Sequence, residues 1–163
     1  MMKTLCYTLL VQVIMWANVS GQEIIGKIVG VHDGDSITLL TAEKQQLKVR
    51  LEGIDAPELK QAFGTVSKQA LSDLVYDKTV LLRVTGKDRY QRTLGNVFIG
   101  RSWINLAMVE QGLAWHYVKY SKDEKLSSAE ARARSARLGV WRDKQPVAPW
   151  DWRPKRKTKT GPR

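Results

Sequence analysis

Six side chains in this sequence carry enough chemistry to start from: the acids Asp33, Asp35, Asp55 and Glu58, and the bases Arg50 and Arg92. Asp33 and Asp35 flank Gly34, while Asp55 and Glu58 bracket the Ala56-Pro57 step. Taken singly, Asp-Gly-Asp is a common turn and Asp-Ala-Pro-Glu a common entry into a helix. Their meaning changes if the end of a first strand meets the end of a third, because four carboxylates gathered there repel one another and call for a cation. The donors are all oxygen, which selects a hard ion such as calcium or magnesium. Calcium takes about 6–8 oxygens, so two carboxylates and a backbone carbonyl leave places for water and a phosphate oxygen. Arg50 lies five residues before Asp55, and Arg92 closes the turn Asp88-Arg89-Tyr90-Gln91-Arg92. A carboxylate-held metal beside two forked guanidinium groups suits a phosphodiester, whose growing negative charge both would neutralise. The competing reading of each arginine is a surface ion pair, Arg50 with Glu52 or Arg92 with Asp88.

The elements that must position these groups read as short strands first. Residues 24–31 have strand composition, with Gly26 and Gly30 as bend or bulge points. The turn Asp33-Gly34-Asp35 leads to a second strand at 36–40. Residues 47–52 alternate strictly, with Leu47, Val49 and Leu51 inward and Lys48, Arg50 and Glu52 outward. A helix is expected at 66–76, with Val66, Ala70, Leu71, Leu74 and Val75 on its buried face. Two strands follow at 79–85 and 94–99, then a short helix at 104–111 ended by Gly112. Ser121-Lys122-Asp123-Glu124 reads as a capping box opening a third helix at about 122–138. Five strands with a helix between the third and fourth is the order of an OB-type barrel, so the fold class is α+β, mainly β, with three helices. A fold of this kind does not by itself specify a function.

The chain has 163 residues, 43% of them hydrophobic, enough for one domain with a true core. Its single cysteine, Cys6, excludes an intrachain disulfide and a cysteine-built zinc site. A formal charge of +11 points to an anionic partner. Residues 1–21 have the layout of a secretory signal peptide: Lys3, an apolar run from Leu5 to Trp16, then Ala17, Ser20 and Gly21. The run is too short for a comfortable transmembrane span, so no stable membrane insertion is expected. Residues 153–163, RPKRKTKTGPR, hold six basic groups and no acid, and read as a disordered basic tail that could hook phosphate backbones. The domain is then residues 22–152, and the product is secreted or periplasmic.

At this point the residues resemble the thermonuclease, or staphylococcal nuclease-like, family. The matching pieces are Asp33-Gly34-Asp35-Ser36, Val49-Arg50-Leu51 with Gly53-Ile54-Asp55-Ala56-Pro57-Glu58, and Asp88-Arg89-Tyr90 with Arg92. Leu106 to Ala114, Ala129-Glu130-Ala131-Arg132 and Leu138-Gly139-Val140-Trp141 follow in order, so the resemblance runs from about Ile24 to Trp141. It implies an OB-fold endonuclease dependent on one Ca2+ ion, hydrolysing DNA and RNA with little sequence preference and leaving 3′-phosphate ends. Asp35, Asp55 and the Ala56 carbonyl would hold the metal, with Asp33 one layer behind. Glu58 would be the general base, and Arg50 and Arg92 would clamp the scissile phosphate. Tyr117 or Tyr120 would pack on the nucleotide, with Arg89 nearby. Gln91 departs from the family, many of whose members have glycine there. The protein is expected to act as a monomer.

Two rival readings remain at this level. One is a noncatalytic OB-fold module holding nucleic acid by its basic surface and aromatic groups. The other is a ribonuclease using His32 and His116 as acid and base. His32 abuts the acidic turn while His116 sits among aromatic residues, so both read better as ordinary surface or packed side chains. Trp103, Trp115 and Trp141 read as packing residues. The 141–152 stretch, with Trp150 and Trp152, reads as an extended segment folding back on the body.

Overall fold

The computed structural model describes residues 21–153. The leader expected at 1–21 and the tail expected at 153–163 lie outside them, apart from Gly21 and Arg153. Five strands form the body: β1 (Glu23–Val31), β2 (Ser36–Thr41), β3 (Gln46–Leu51), then β5 (Thr79–Lys87) and β6 (Thr93–Ile99), with the two-residue strand β4 (Ile54–Asp55) between β3 and β5. β1 pairs antiparallel with both β2 and β5, β2 with β3, and β5 with β6. A parallel pairing of β3 with β6, Val49↔Thr93 to Leu51↔Gly95, closes the barrel. The OB-type order expected from the sequence is therefore present. The β1–β2 register slips between Ile28 and Gly30, as the glycines suggest.

Alternation fills the interior: Ile28, Ile37, Leu39, Val49, Leu51, Val80, Leu82 and Val97 point inward and are buried. The ends of the barrel are covered by α1 (Gly64–Val75), α2 (Ile104–Glu110) and α3 (Glu124–Ser135). α1 buries Gly64, Ser67, Leu71 and Val75, whereas Val66 is exposed. The apolar face is thus rotated from the expected one, because a small hydroxyl residue can hold the buried stripe when its donor is satisfied. Ser67 Oγ donates to Leu113 O at 2.6 Å. α3 is shorter than expected at both ends. Its cap is Asp123, whose carboxylate accepts from the Lys125 and Leu126 amides, while Ser121 only accepts from the Asp123 amide. At the far end, Arg137 takes a left-handed conformation (φ 52°) and breaks the helix before Gly139.

Four pieces were not legible in advance. β7 (Ser102–Trp103) extends the sheet beyond β6, and β8 (Trp115–His116) pairs with β4, setting Trp115 opposite Asp55. A 3-10 turn (Gly139–Arg142) seats Trp141 edge-on to Trp115 at 5.1 Å. The C-terminal stretch, expected extended, makes one helical turn, α4 (Pro149–Trp152). Among the described residues no helix is long and apolar enough to cross a membrane.

Candidate active site

The turn between β1 and β2 brings the first pair of acids to the mouth of the barrel. Asp33 Oδ1 accepts the Asp35 amide at 3.0 Å, which fixes the bend. Gly34 is required there: a Cβ would lie 1.9 Å from Ser67 Oγ and 2.7 Å from the Ala56 Cβ. That close approach lets the turn pack against the segment carrying Asp55. Asp35 Oδ2 accepts the Ala56 amide at 2.6 Å, and Asp35 O accepts the Leu51 amide at 2.8 Å. The expected meeting of the two acidic segments is thus made by direct hydrogen bonds. Glu58 follows on a turn closed by Gln61, whose side chain accepts the Glu58 amide at 3.1 Å. Gly64 is pressed against this turn, so a Cβ there would sit 2.0 Å from Glu58 O.

Arg50 leaves β3 on the face opposite Val49 and Leu51, but that face is not solvated. Its side chain is 12% exposed and forks between Asp35 Oδ2 (3.0 Å) and Asp55 Oδ1 (2.8 Å). The alternative pairing with Glu52 is not formed. Arg92 does make its local pair, donating from Nε to Asp88 Oδ2 at 2.8 Å. It also reaches inward, with Nη1 donating to Ser36 Oγ at 3.2 Å. Ser36 in turn donates to Asp35 Oδ1 at 3.1 Å, so a hydroxyl links the second arginine to the acids. Asp88 loses some hydration, yet hydrogen bonds from the Arg92 side chain and from the Arg92 and Tyr90 amides hold its carboxyl below the usual range.

Burial dominates the electrostatics of the two inner acids. It pushes the Asp35 carboxyl up to about 7, against the opposing pull of Arg50 and with help from Asp33 and Asp55. Burial raises Asp55 as well, although Arg50 and Arg153 oppose it. Asp55 Oδ2 is buried with no hydrogen-bond partner among the described residues. An orphan carboxylate oxygen, all-oxygen donors and a deficit of buried positive charge fit a hard divalent cation. Among the described residues no three His, Cys, Asp or Glu side chains converge as a metal cluster. Asp35 and Asp55 are the side chains that could hold such an ion here, in keeping with the set, with the Ala56 carbonyl, that the resemblance implies.

Among the described residues, none of the remaining expected side chains is hydrogen-bonded to these acids. Tyr117 lies just after β8, its amide on Gly53 O at 2.8 Å. One face of its ring is covered by Trp150, parallel at 5.1 Å, and its neighbour Tyr120 meets it edge-on at 4.7 Å. Arg89 is exposed and lies over the Tyr90 ring at 4.8 Å. His32 is tied to Thr38 Oγ1 at 2.8 Å. His116 is 2% exposed, with Nδ1 on Ser127 Oγ at 3.0 Å, so its ring is packed rather than presented.

Two site residues were missed from the sequence. Ser36 stood within the quoted Asp-Gly-Asp-Ser motif without a role. Arg153 was placed in the tail, but its guanidinium lies on the acids: Nε donates to Glu58 Oε1 at 2.5 Å and Nη2 to Asp55 Oδ1. Its position depends on a distant stacking contact that a run of basic residues conceals.

Comparison with known proteins places these features among relatives. The family model of staphylococcal nuclease homologues matches residues 48–143. A Haemophilus influenzae protein described as an uncharacterized endonuclease is 50% identical over 127 residues, which are 78% of this chain and 71% of that one. The ParB protein of Escherichia coli is 40% identical over 152 residues, covering 86% and 85%. A Shigella flexneri protein named micrococcal nuclease is 39% identical over 156 residues, covering 89% and 86%.

Proposed function

Since the chain belongs to the staphylococcal nuclease homologue family, we propose that it is a secreted or periplasmic endonuclease that hydrolyses phosphodiesters of DNA and RNA in the presence of one Ca2+ ion. The observation that carries this reading is the fork of Arg50 on Asp35 and Asp55, with Arg92 reaching Asp35 through Ser36. Such a site reads backbone phosphate and touches no base edge, which accounts for little sequence preference.

The metal, when bound, supplies Lewis-acid neutralisation of the phosphate oxygens. The rest is the work of side chains. Arg50 is buried and pre-oriented by Asp35 and Asp55, so the donors those acids leave free meet charge developing at phosphorus without first reorganising water. Arg92 is held at two points, by Asp88 and Ser36, and keeps its remaining donors for the phosphate. Glu58, half-exposed beside the buried acids, takes the proton of an attacking water. In-line displacement breaks the bond from phosphorus to the 5′ oxygen, which departs as a hydroxyl after taking a proton from solvent, and leaves a 3′-phosphate. Asp33 holds the turn that carries Asp35.

The test is plasmid DNA and RNA incubated with the protein in calcium, in magnesium and in excess chelator, with Glu58→Gln alongside. Fragments bearing 3′-phosphate should form with calcium and not with chelator. Glu58→Gln should lower kcat by about 10²–10⁴, the usual worth of a general base. A gel shift without fragments would sink the enzymatic reading and favour a binding module.

A further inference from the structure

Arg153 has no part in the mechanism above, yet its guanidinium shares Asp55 Oδ1 with Arg50 and also holds Glu58. Its placement is not that of a side chain swinging from a loose end. Gln61, whose carbonyl orients the Glu58 turn, donates from Nε2 to Val147 O at 2.6 Å. Pro149 is buried, and Trp150 lies parallel to Tyr117 at 5.1 Å. The Asp151 and Trp152 amides close on Ala148 O at 3.0 Å, and the Arg153 amide on Pro149 O at 3.1 Å. Residues 147–153 therefore form a strap anchored at three points, ending at the mouth of the site. Arg153 keeps 40% of its side chain exposed, against 12% for Arg50, so of the two guanidiniums on Asp55 it is the one open to solvent. A guanidinium carries five N–H donors, and two are used here.

We infer that Arg153 is a third phosphate-binding residue of this site, delivered by the 147–153 strap to grip the nucleic-acid backbone beside the scissile bond. The inference rests on the phosphodiesterase reading. The same guanidinium pairs with Asp55 and Glu58, and so competes with a cation for them. A divalent ion on Asp55 weakens that attraction and frees the fork for phosphate. Arg153 thus opposes cation binding and favours substrate binding, two effects of opposite sign that can be measured apart.

The experiment uses the full chain as wild type, Arg153→Ala and Arg153→Lys, with Arg101→Ala as a control on an exposed arginine. Calcium affinity is measured by calorimetry without nucleic acid. KM and kcat are measured on a single-stranded oligonucleotide at several salt concentrations, and thermal melting checks folding. Arg153→Ala should bind calcium several-fold more tightly. Its KM should rise about tenfold with kcat little changed, and its log–log salt slope should fall by about 0.7, one phosphate contact on a single strand. Arg153→Lys should restore the slope but only part of the KM, having the charge without the fork. A folded Arg153→Ala with unchanged KM and slope overturns the inference. So does one that turns over faster at limiting calcium with unchanged KM, since Arg153 would then be a plug. A wild type that cleaves nothing with calcium would instead end the proposed function itself.

Discussion

Replacing Arg50 with glutamine removes the positive charge held between two buried acids. Its side chain is 12% exposed, Asp55 is fully buried and Asp35 nearly so, so little water can take over its hydrogen bonds. Breaking a buried pair by deleting one partner costs about 3–5 kcal/mol, here chiefly at Asp35, because Arg153 still pairs with Asp55. The metal-free variant should lose stability on that scale in urea. A divalent cation should return much of it, since an ion at about 100 times its Kd adds about 2.7 kcal/mol to whatever it binds only when folded. The rate should not return. Losing one preorganised donor to the developing charge costs about 10²–10³ in kcat whether or not the fold is repaired. The assay is therefore a pair of measurements on Arg50→Gln with and without saturating calcium: urea midpoint and single-turnover cleavage. Stability that ignores calcium would refute the view that Arg50 and the cation answer the same buried charge. A kcat recovered along with the fold would refute a direct role on the phosphate.

Other outcomes follow from the same geometry. Asp35 is pushed up to about 7 in the folded state, above its ordinary value near 3.8, so the unfolded chain releases that proton first. The metal-free protein should accordingly lose stability as pH rises from about 4 to about 7, and calcium should flatten the loss in thermal melts taken across that window. Gln91 occupies a left-handed conformation (φ 63°), costly for any residue with a Cβ. Gln91→Gly should relieve that strain, partly offset by a floppier unfolded chain, and leave the protein as stable or up to about 1 kcal/mol more so in urea. Asn105 is buried, accepting the Val97 amide at 3.0 Å and donating to Glu52 O and Gly95 O at 2.9 and 3.2 Å. Asn105→Ala should cost about 3 kcal/mol by leaving those backbone groups unpaired, without altering calcium affinity.

Much of this architecture was legible because it is local. The alternation at 47–52 set Val49 and Leu51 inward and fixed Arg50 on the other face, whatever the rest of the chain did. The glycine in Asp33-Gly34-Asp35 marked a turn, and five residues from Arg50 to Asp55 left just enough chain to fold the acid back onto the guanidinium. What escaped notice was long-range. The two-residue pairing of β4 with β8 is too short to leave a periodic signal, and the Tyr117–Trp150 stack joins residues far apart in the chain. Without that stack Arg153 is indistinguishable from the basic residues after it. The helix errors have similar causes. Val66 fits an apolar stripe as well as Ser67 does until Leu113 O supplies the hydroxyl with a partner.

The parallel run of three residue pairs between β3 and β6 couples two things that usually vary independently. Arg50 lies in that run, opposite Leu94, and Arg92 is the residue just before its first partner, Thr93. A slip of two residues along this seam would preserve every inward-facing side chain, yet carry one arginine about 6–7 Å past the other. The barrel would still hold together while the proposed two-arginine grip on one phosphate was gone. Spacing between the two cations is thus a property of the seam's register rather than of either loop, and insertions that shear it should silence the protein before they unfold it.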